Sequence, residues 1–217
     1  MNYKSILFYL GVNLLLVSFF SILNILYSIY FKFFLSLDSY ILTFAISLIV
    51  GSLFLYIGKN SSKDINLISQ ILFILINFAL IPLFFSIPYY SSSYDINFIN
   101  SYFESISGFT TTGFTIIKNI DNIDEPLLLW RSSSQWLGGL FFLMATIGTI
   151  GSKQIKIKPS YLISGGASGR NFYNNFNLNF IKILLIYFFS TLFVIFLFNL
   201  VGIRLLDSFN LAFTTIS

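Results

Sequence analysis

The run Thr110-Thr111-Thr112-Gly113-Phe114-Thr115 sets four hydroxyls and a glycine together without a charge. Such a run suits the dehydration of a monovalent cation, because a narrow pore must replace the ion's water shell with backbone carbonyls held at membrane depth. Gly113 supplies backbone freedom that a residue bearing Cβ lacks in that geometry. The threonines add neutral oxygen acceptors, whereas calcium or magnesium calls for carboxylates. The backbone carbonyls of this run are therefore the expected ligands of a transported ion, potassium first and sodium as the alternative. Thr/Gly runs also make ordinary turns between helices. What favours a filter is the order of the segments around it.

Those segments are mostly apolar. Hydrophobic residues make up 56% of the 217-residue chain and charged residues only 9%, too little charge to coat a soluble domain, so the excess must face lipid. Cysteine and histidine are both absent, which removes thiol chemistry, disulfides, Cys/His metal sites and Ser-His-Asp machinery. The few carboxylates make no acid/base pair inside the apolar segments, so an enzyme is not expected.

Five long segments, residues 6–31, 40–58, 67–87, 126–151 and 180–203, match or exceed the roughly 20 residues that cross a hydrocarbon core as a helix. The first is far longer than the roughly 7–15 residues of a signal-peptide core and should stay in the mature chain. Residues 98–107 are too short to span, and the Thr/Gly run follows at once. Non-helical backbone is tolerated at membrane depth only where protein or a water-filled cavity surrounds it, so a re-entrant half-helix and loop is expected here. Its C-terminal, partly negative end would point into the membrane and favour a waiting cation. Gly108 is placed to end that half-helix. Glu104 lies within it and should find hydrogen-bond donors behind the loop.

Charge supports this topology. With the N-terminus inside, Lys4, Lys59, Lys63, Lys153, Lys156, Lys158, Arg170 and Lys182 are cytoplasmic beside a single acid, Asp64. Lys32, Lys118, Arg131 and Arg204 fall outside with seven acids, among them Asp95, Asp121, Asp124 and Glu125. Reading residues 98–117 as a true span would put the Lys153/Lys156/Lys158 cluster outside, against the positive-inside rule.

The stretch Phe103-Glu104-Ser105-Ile106-Ser107-Gly108-Phe109 leading into Thr110-Thr111-Thr112-Gly113 resembles the first pore loop of bacterial Trk-type potassium uptake proteins. Trp130-Arg131 with Gln135-Trp136-Leu137-Gly138-Gly139 resembles the helix that follows it. The extra N-terminal pair of helices is similar to the Trk-H branch of the family. The resemblance implies an all-α polytopic membrane protein: two N-terminal helices, then helix–pore-loop–helix repeats of the potassium-channel-like type around a pseudo-fourfold pore. By that likeness Thr111, Thr112, Gly113 and Phe114 line a quarter of the filter, with Thr110 leading in and potassium held by the backbone carbonyls of Thr111, Thr112 and Gly113. Arg131 lies near the outer end of its helix, where a long side chain can snorkel, and is the candidate for the outer vestibule. It further implies the bacterial plasma (inner) membrane with a cytoplasmic N-terminus, a homodimer when complete, and a cytoplasmic nucleotide-binding regulatory subunit. No covalent cofactor and no nucleic acid are expected.

Expected units are a hairpin at 1–64, a first repeat at 65–152, a cytoplasmic linker at 153–179 and the start of a second repeat at 180–217. Shifting the sequence on itself by 110 positions pairs Asn100 with Asn210, Phe103 with Phe213, Ile106 with Ile216 and Ser107 with Ser217. The second repeat is therefore expected to be truncated within its pore half-helix. Residues 164–170, rich in glycine, lack the Gly-Lys-Ser/Thr ending of a phosphate loop and read as linker. An inactive remnant or a non-transporting scaffold is the competing reading.

Overall fold

In a computed structural model of the chain, the residues described are 3–61, 67–92, 94, 96–117, 123–150 and 171–217. They contain seven helices and no strand: α1 (Tyr3–Phe31), α2 (Leu37–Gly58), α3 (Leu67–Ser91), α4 (Phe98–Phe109), α5 (Glu125–Ile150), α6 (Asn171–Leu200) and α7 (Leu205–Ile216). Among the described residues, four stretches are long and apolar enough to cross a membrane: Tyr3–Phe31, Leu37–Gly58, Ile68–Ser91 and Lys182–Leu200.

The expected fifth span, residues 126–151, differs in kind. α5 has the length, 26 residues, but Arg131-Ser132-Ser133-Ser134-Gln135 interrupts its apolar surface. Ser132, Ser133, Ser134 and Gln135 are all buried, so this polar run faces protein and not lipid. That is where polar groups at membrane depth can be satisfied.

α1 and α2 form a tight hairpin. A Cβ on Gly11 would come 2.9 Å from the Gly51 carbonyl oxygen, an approach that small residues permit between membrane helices. Asn13 Nδ2 donates to Asn77 Oδ1 at 2.6 Å and ties α1 to α3. α3 carries Pro82 and Pro88 inside the helix. A proline cannot donate to the ladder, and its ring crowds the carbonyls one turn back. Two carbonyls three residues before a proline are taken by side chains of the next elements: Tyr102 Oη donates to Ala79 O at 2.9 Å, and Trp130 Nε1 to Phe85 O at 3.0 Å. Neighbouring helices thus answer the carbonyls that proline disturbs, and α4 and α5 are fixed against α3 at the same points.

α4 dips into the bundle. It starts near the end of α3, where Phe98 meets Tyr90 at 6.1 Å between ring centroids. Its last residue, Phe109, is buried among Phe78, Phe85 and Phe141 at 5.5, 6.3 and 6.0 Å. Phe78 and Phe141 lie near the middles of their helices, so α4 ends at mid-depth. The chain then returns toward the start of α5, where Tyr94 Oη donates to Asp124 Oδ1 at 3.0 Å. Burial raises the Asp124 carboxyl above its ordinary range, partly offset by that hydrogen bond. The expected re-entrant topology is present.

α6 and α7 repeat the pattern on the other side of α5. Arg204, just before α7, pairs with Glu125 at 2.6 Å, Phe213 meets Trp136 at 5.6 Å, and Ser217 lies against Gly139. α6 begins at Asn171, inside the expected linker 153–179, since loss of apolarity marks where a span leaves lipid and not where a helix stops. α4 and α7 begin 107 positions apart, at Phe98 and Leu205, and Ser101 and Ser208 each donate through the hydroxyl to the carbonyl five residues back, at 3.4 and 3.3 Å. Three residues are nearly one helical turn, so offsets of 107 and 110 keep the same face inward. Lys63, Asp64, Asp95, Lys118, Asp121, Lys153, Lys156, Lys158 and residues 164–170 lie outside the described residues.

Candidate functional site: a loop held by α4 and α5

Asn97 caps α4, its side chain accepting from Asn100 N at 2.8 Å. Gly108 does not end the helix, which runs on through Phe109 to a cap at Thr110. Gly108 is needed for proximity instead. A Cβ there would fall 2.3 Å from Ser134 Oγ but 3.6 Å from Ser134 Cβ. Gly108→Ala should therefore cost roughly 1 kcal/mol, since the Ser134 hydroxyl must turn away and give up its bond to Arg131 O. Adding Ser134→Ala should restore most of that stability, as thermal unfolding of the two variants in detergent will show.

The backbone after α4 is left-handed at Thr111 (φ 57°) and Gly113 (φ 76°), with Thr112 between them in the ordinary region. A regular strand sends successive carbonyls to opposite sides; this alternation departs from that pattern. Thr111 N donates to Gly108 O at 2.9 Å, and Thr112 N and Gly113 N share Ser107 O at 3.1 and 3.3 Å. The non-glycine left-handed residue, Thr111, costs roughly 1–2 kcal/mol and persists because its surroundings over-determine it.

Four side chains do most of the holding. Ser107 Oγ donates to Phe114 O at 2.6 Å, and Thr112 Oγ1 to Ser107 O at 3.1 Å. Glu104 is buried and uses both oxygens. Oε1 accepts from Arg131 Nε at 2.7 Å, while Oε2 accepts from Thr115 Oγ1 and Ile116 N, each at 3.1 Å. Arg131 reaches further, donating from Nη2 to Gly113 O at 3.1 Å. Among the described residues, the carbonyls of Thr111 and Thr112 accept no hydrogen bond. Thr111 through Ile116 are exposed.

The structure thus brings Glu104, Gly108, Thr110, Thr111, Thr112, Gly113, Phe114 and Arg131 to one place. Glu104 finds the donors expected of it. Arg131, expected at an outer vestibule with a side chain free to snorkel, turns inward to Glu104 and Gly113. Of the three carbonyls expected to bind the ion, that of Gly113 is already engaged. Ser134 was not singled out from the sequence, where its signal was the polar run in an otherwise apolar helix; Ser107 stood there only inside longer motifs, with no holding role. Gly138 accepts the end of α4: a Cβ there would lie 1.8 Å from Phe109 O.

Fold and site together define a polytopic helical membrane protein with a re-entrant loop between two helices. The TrkH family of cation transport proteins matches residues 36–215, and the chain belongs to that family. It is 28% identical to an uncharacterized cation transporter of Methanocaldococcus jannaschii across 99% of this chain and 44% of that protein. It is 37% identical to the Trk system potassium uptake protein TrkI of Halomonas elongata across 31% of this chain and 14% of that protein. The crystal structure of the potassium transporter TrkH from Vibrio parahaemolyticus superposes with a TM-score of 0.74 at 22% identity, covering 98% of this chain and 42% of that one. The chain therefore spans less than half the length of these relatives.

Proposed function

We propose that the chain supplies the N-terminal hairpin and the first quarter of the ion pathway of a Trk-type potassium uptake protein. Residues 1–64 are the hairpin and 65–152 the first helix–pore-loop–helix repeat. Residues 153–179 are the cytoplasmic linker and 180–217 the start of the second repeat. Thr110 leads into the filter, and Thr111, Thr112, Gly113 and Phe114 form it, with Glu104 and Gly108 as support and Arg131 beside its outer side. Potassium, with sodium as the competing ion, is the transported substrate. Transport is across the plasma membrane with the N-terminus cytoplasmic, and a homodimer and a cytoplasmic nucleotide-binding regulatory subunit complete the assembly.

One observation carries this reading. The carbonyls of Thr111 and Thr112 have no donor among the described residues, while those of Gly113 and Phe114 are tied down by Arg131 and Ser107. Free carbonyls at mid-depth are costly unless something cationic or wet meets them. Relatives named for potassium uptake supply the ion.

The test is Gly113→Asp in the gene product that carries this chain, expressed in cells lacking their own potassium uptake. A side chain at a left-handed position, carrying a carboxylate into the loop, should reduce rubidium uptake and growth on low potassium to background. Unchanged uptake with the protein present in the membrane would reject the filter and favour a scaffold.

A further inference from the structure

Arg131 places a guanidinium nitrogen 3.1 Å from the Gly113 carbonyl oxygen while its Nε stays 2.7 Å from Glu104. The pair is well enclosed, with the Arg131 side chain 17% and that of Glu104 0% exposed. Glu104 is also fastened to Thr115 and Ile116 beyond the loop, so its carboxylate is a fixed anchor and the guanidinium cannot swing away without breaking both of its bonds. A carbonyl that shares its lone pairs with a guanidinium has less negative charge to offer a passing cation, and the cation arriving there meets a fixed positive charge in a partly dehydrated setting.

Resting on the reading of residues 110–114 as a filter quarter, we propose that Arg131 is a specificity-determining residue that withdraws the Gly113 carbonyl from ion coordination. This quarter then offers a cation only the carbonyls of Thr111 and Thr112, and the outermost position is kept weak. A weak outer position lets ions leave as well as enter, a requirement for conduction. Glu104 acts through Arg131 and is a positioning residue: it neutralises the arginine's charge for folding and aims its free arm.

The experiment compares rubidium uptake as a function of external rubidium in three forms of the gene product that carries this chain: unmodified, Glu104→Gln/Arg131→Gln, and Arg131→Lys. The double variant removes both charges and leaves no buried ion unpaired. Arg131→Lys keeps the charge facing Glu104 but loses the fork that reaches Gly113. The half-saturating concentration should fall about threefold or more in the double variant, the order expected when an ion pair whose positive end faces the site is removed at intermediate dielectric. Arg131→Lys should lie between, with sodium inhibiting uptake more strongly in both. An unchanged half-saturation in whichever variants reach the membrane overturns the inference and leaves the filter standing. Loss of the filter reading itself is seen separately, as uptake indifferent to Gly113→Asp.

Discussion

Alanine at Gly138 should destabilise the protein by about 3 kcal/mol and abolish uptake, although only one methyl group is added. The added Cβ would lie 1.8 Å from the Phe109 carbonyl oxygen and 2.6 Å from its carbonyl carbon. Both are backbone atoms, so no flexible side chain can move aside, and the end of α4 must retreat by more than an ångström. Phe109 cannot follow freely, because its ring is packed among Phe78, Phe85 and Phe141. Close-packed interiors pass such displacements on, and Thr110 and Thr111 are next in line. Gly202 is the control: it has positive φ and nothing within 4 Å of an added Cβ. Gly202→Ala should cost only backbone strain, roughly 1 kcal/mol. Thermal unfolding in detergent and rubidium uptake of the two variants should separate them clearly, and equal behaviour would mean that the contact between α4 and α5 is far looser than described.

Glu104→Ala is the second large effect. Removing the carboxylate strands the Arg131 guanidinium, the Ile116 amide and the Thr115 hydroxyl in a largely buried site. Breaking one partner out of a buried ion pair typically costs about 3–5 kcal/mol, because the other charge remains unpaired. Glu104→Gln should be milder, since an amide oxygen can still accept from Ile116 or Arg131. In a double-mutant cycle with Arg131→Gln, the two changes should be strongly non-additive, with a coupling of about 1–3 kcal/mol. Additive effects would show that the two side chains do not meet in the folded protein.

The sequence made the broad architecture legible because lipid imposes a simple code. Apolar runs bounded by Lys4, Lys59 and Lys182 mark spans whether or not tertiary packing is known, and a ten-residue amphipathic stretch before Thr-Thr-Gly is too short to be one. Helix ends were less legible. The Asn-rich start of α6 is polar enough to read as linker yet continues the helix, and Gly108 looked like a stop although it serves contact with Ser134. The candidate loop was legible from Gly113 and its threonines. Its support was only half visible: Glu104 announced itself as a carboxylate at membrane depth, but nothing in local spacing says that a residue 27 positions later in the chain is its partner. The inward turn of Arg131 depends on the angle at which α5 crosses α4, which Gly138 and Gly108 set together. Ion preference lies beyond local pattern altogether, since it depends on how all the carbonyls around a pore are spaced.

The most direct measurement is a crystal structure of the gene product that carries this chain, grown in rubidium and recorded at the rubidium absorption edge. Anomalous density beside the carbonyls of Thr111 and Thr112, and none at Gly113, is the expected result. A well-ordered loop with no anomalous density near Thr111 or Thr112, in protein that still takes up rubidium, would contradict the assignment of residues 110–114 as part of the ion pathway.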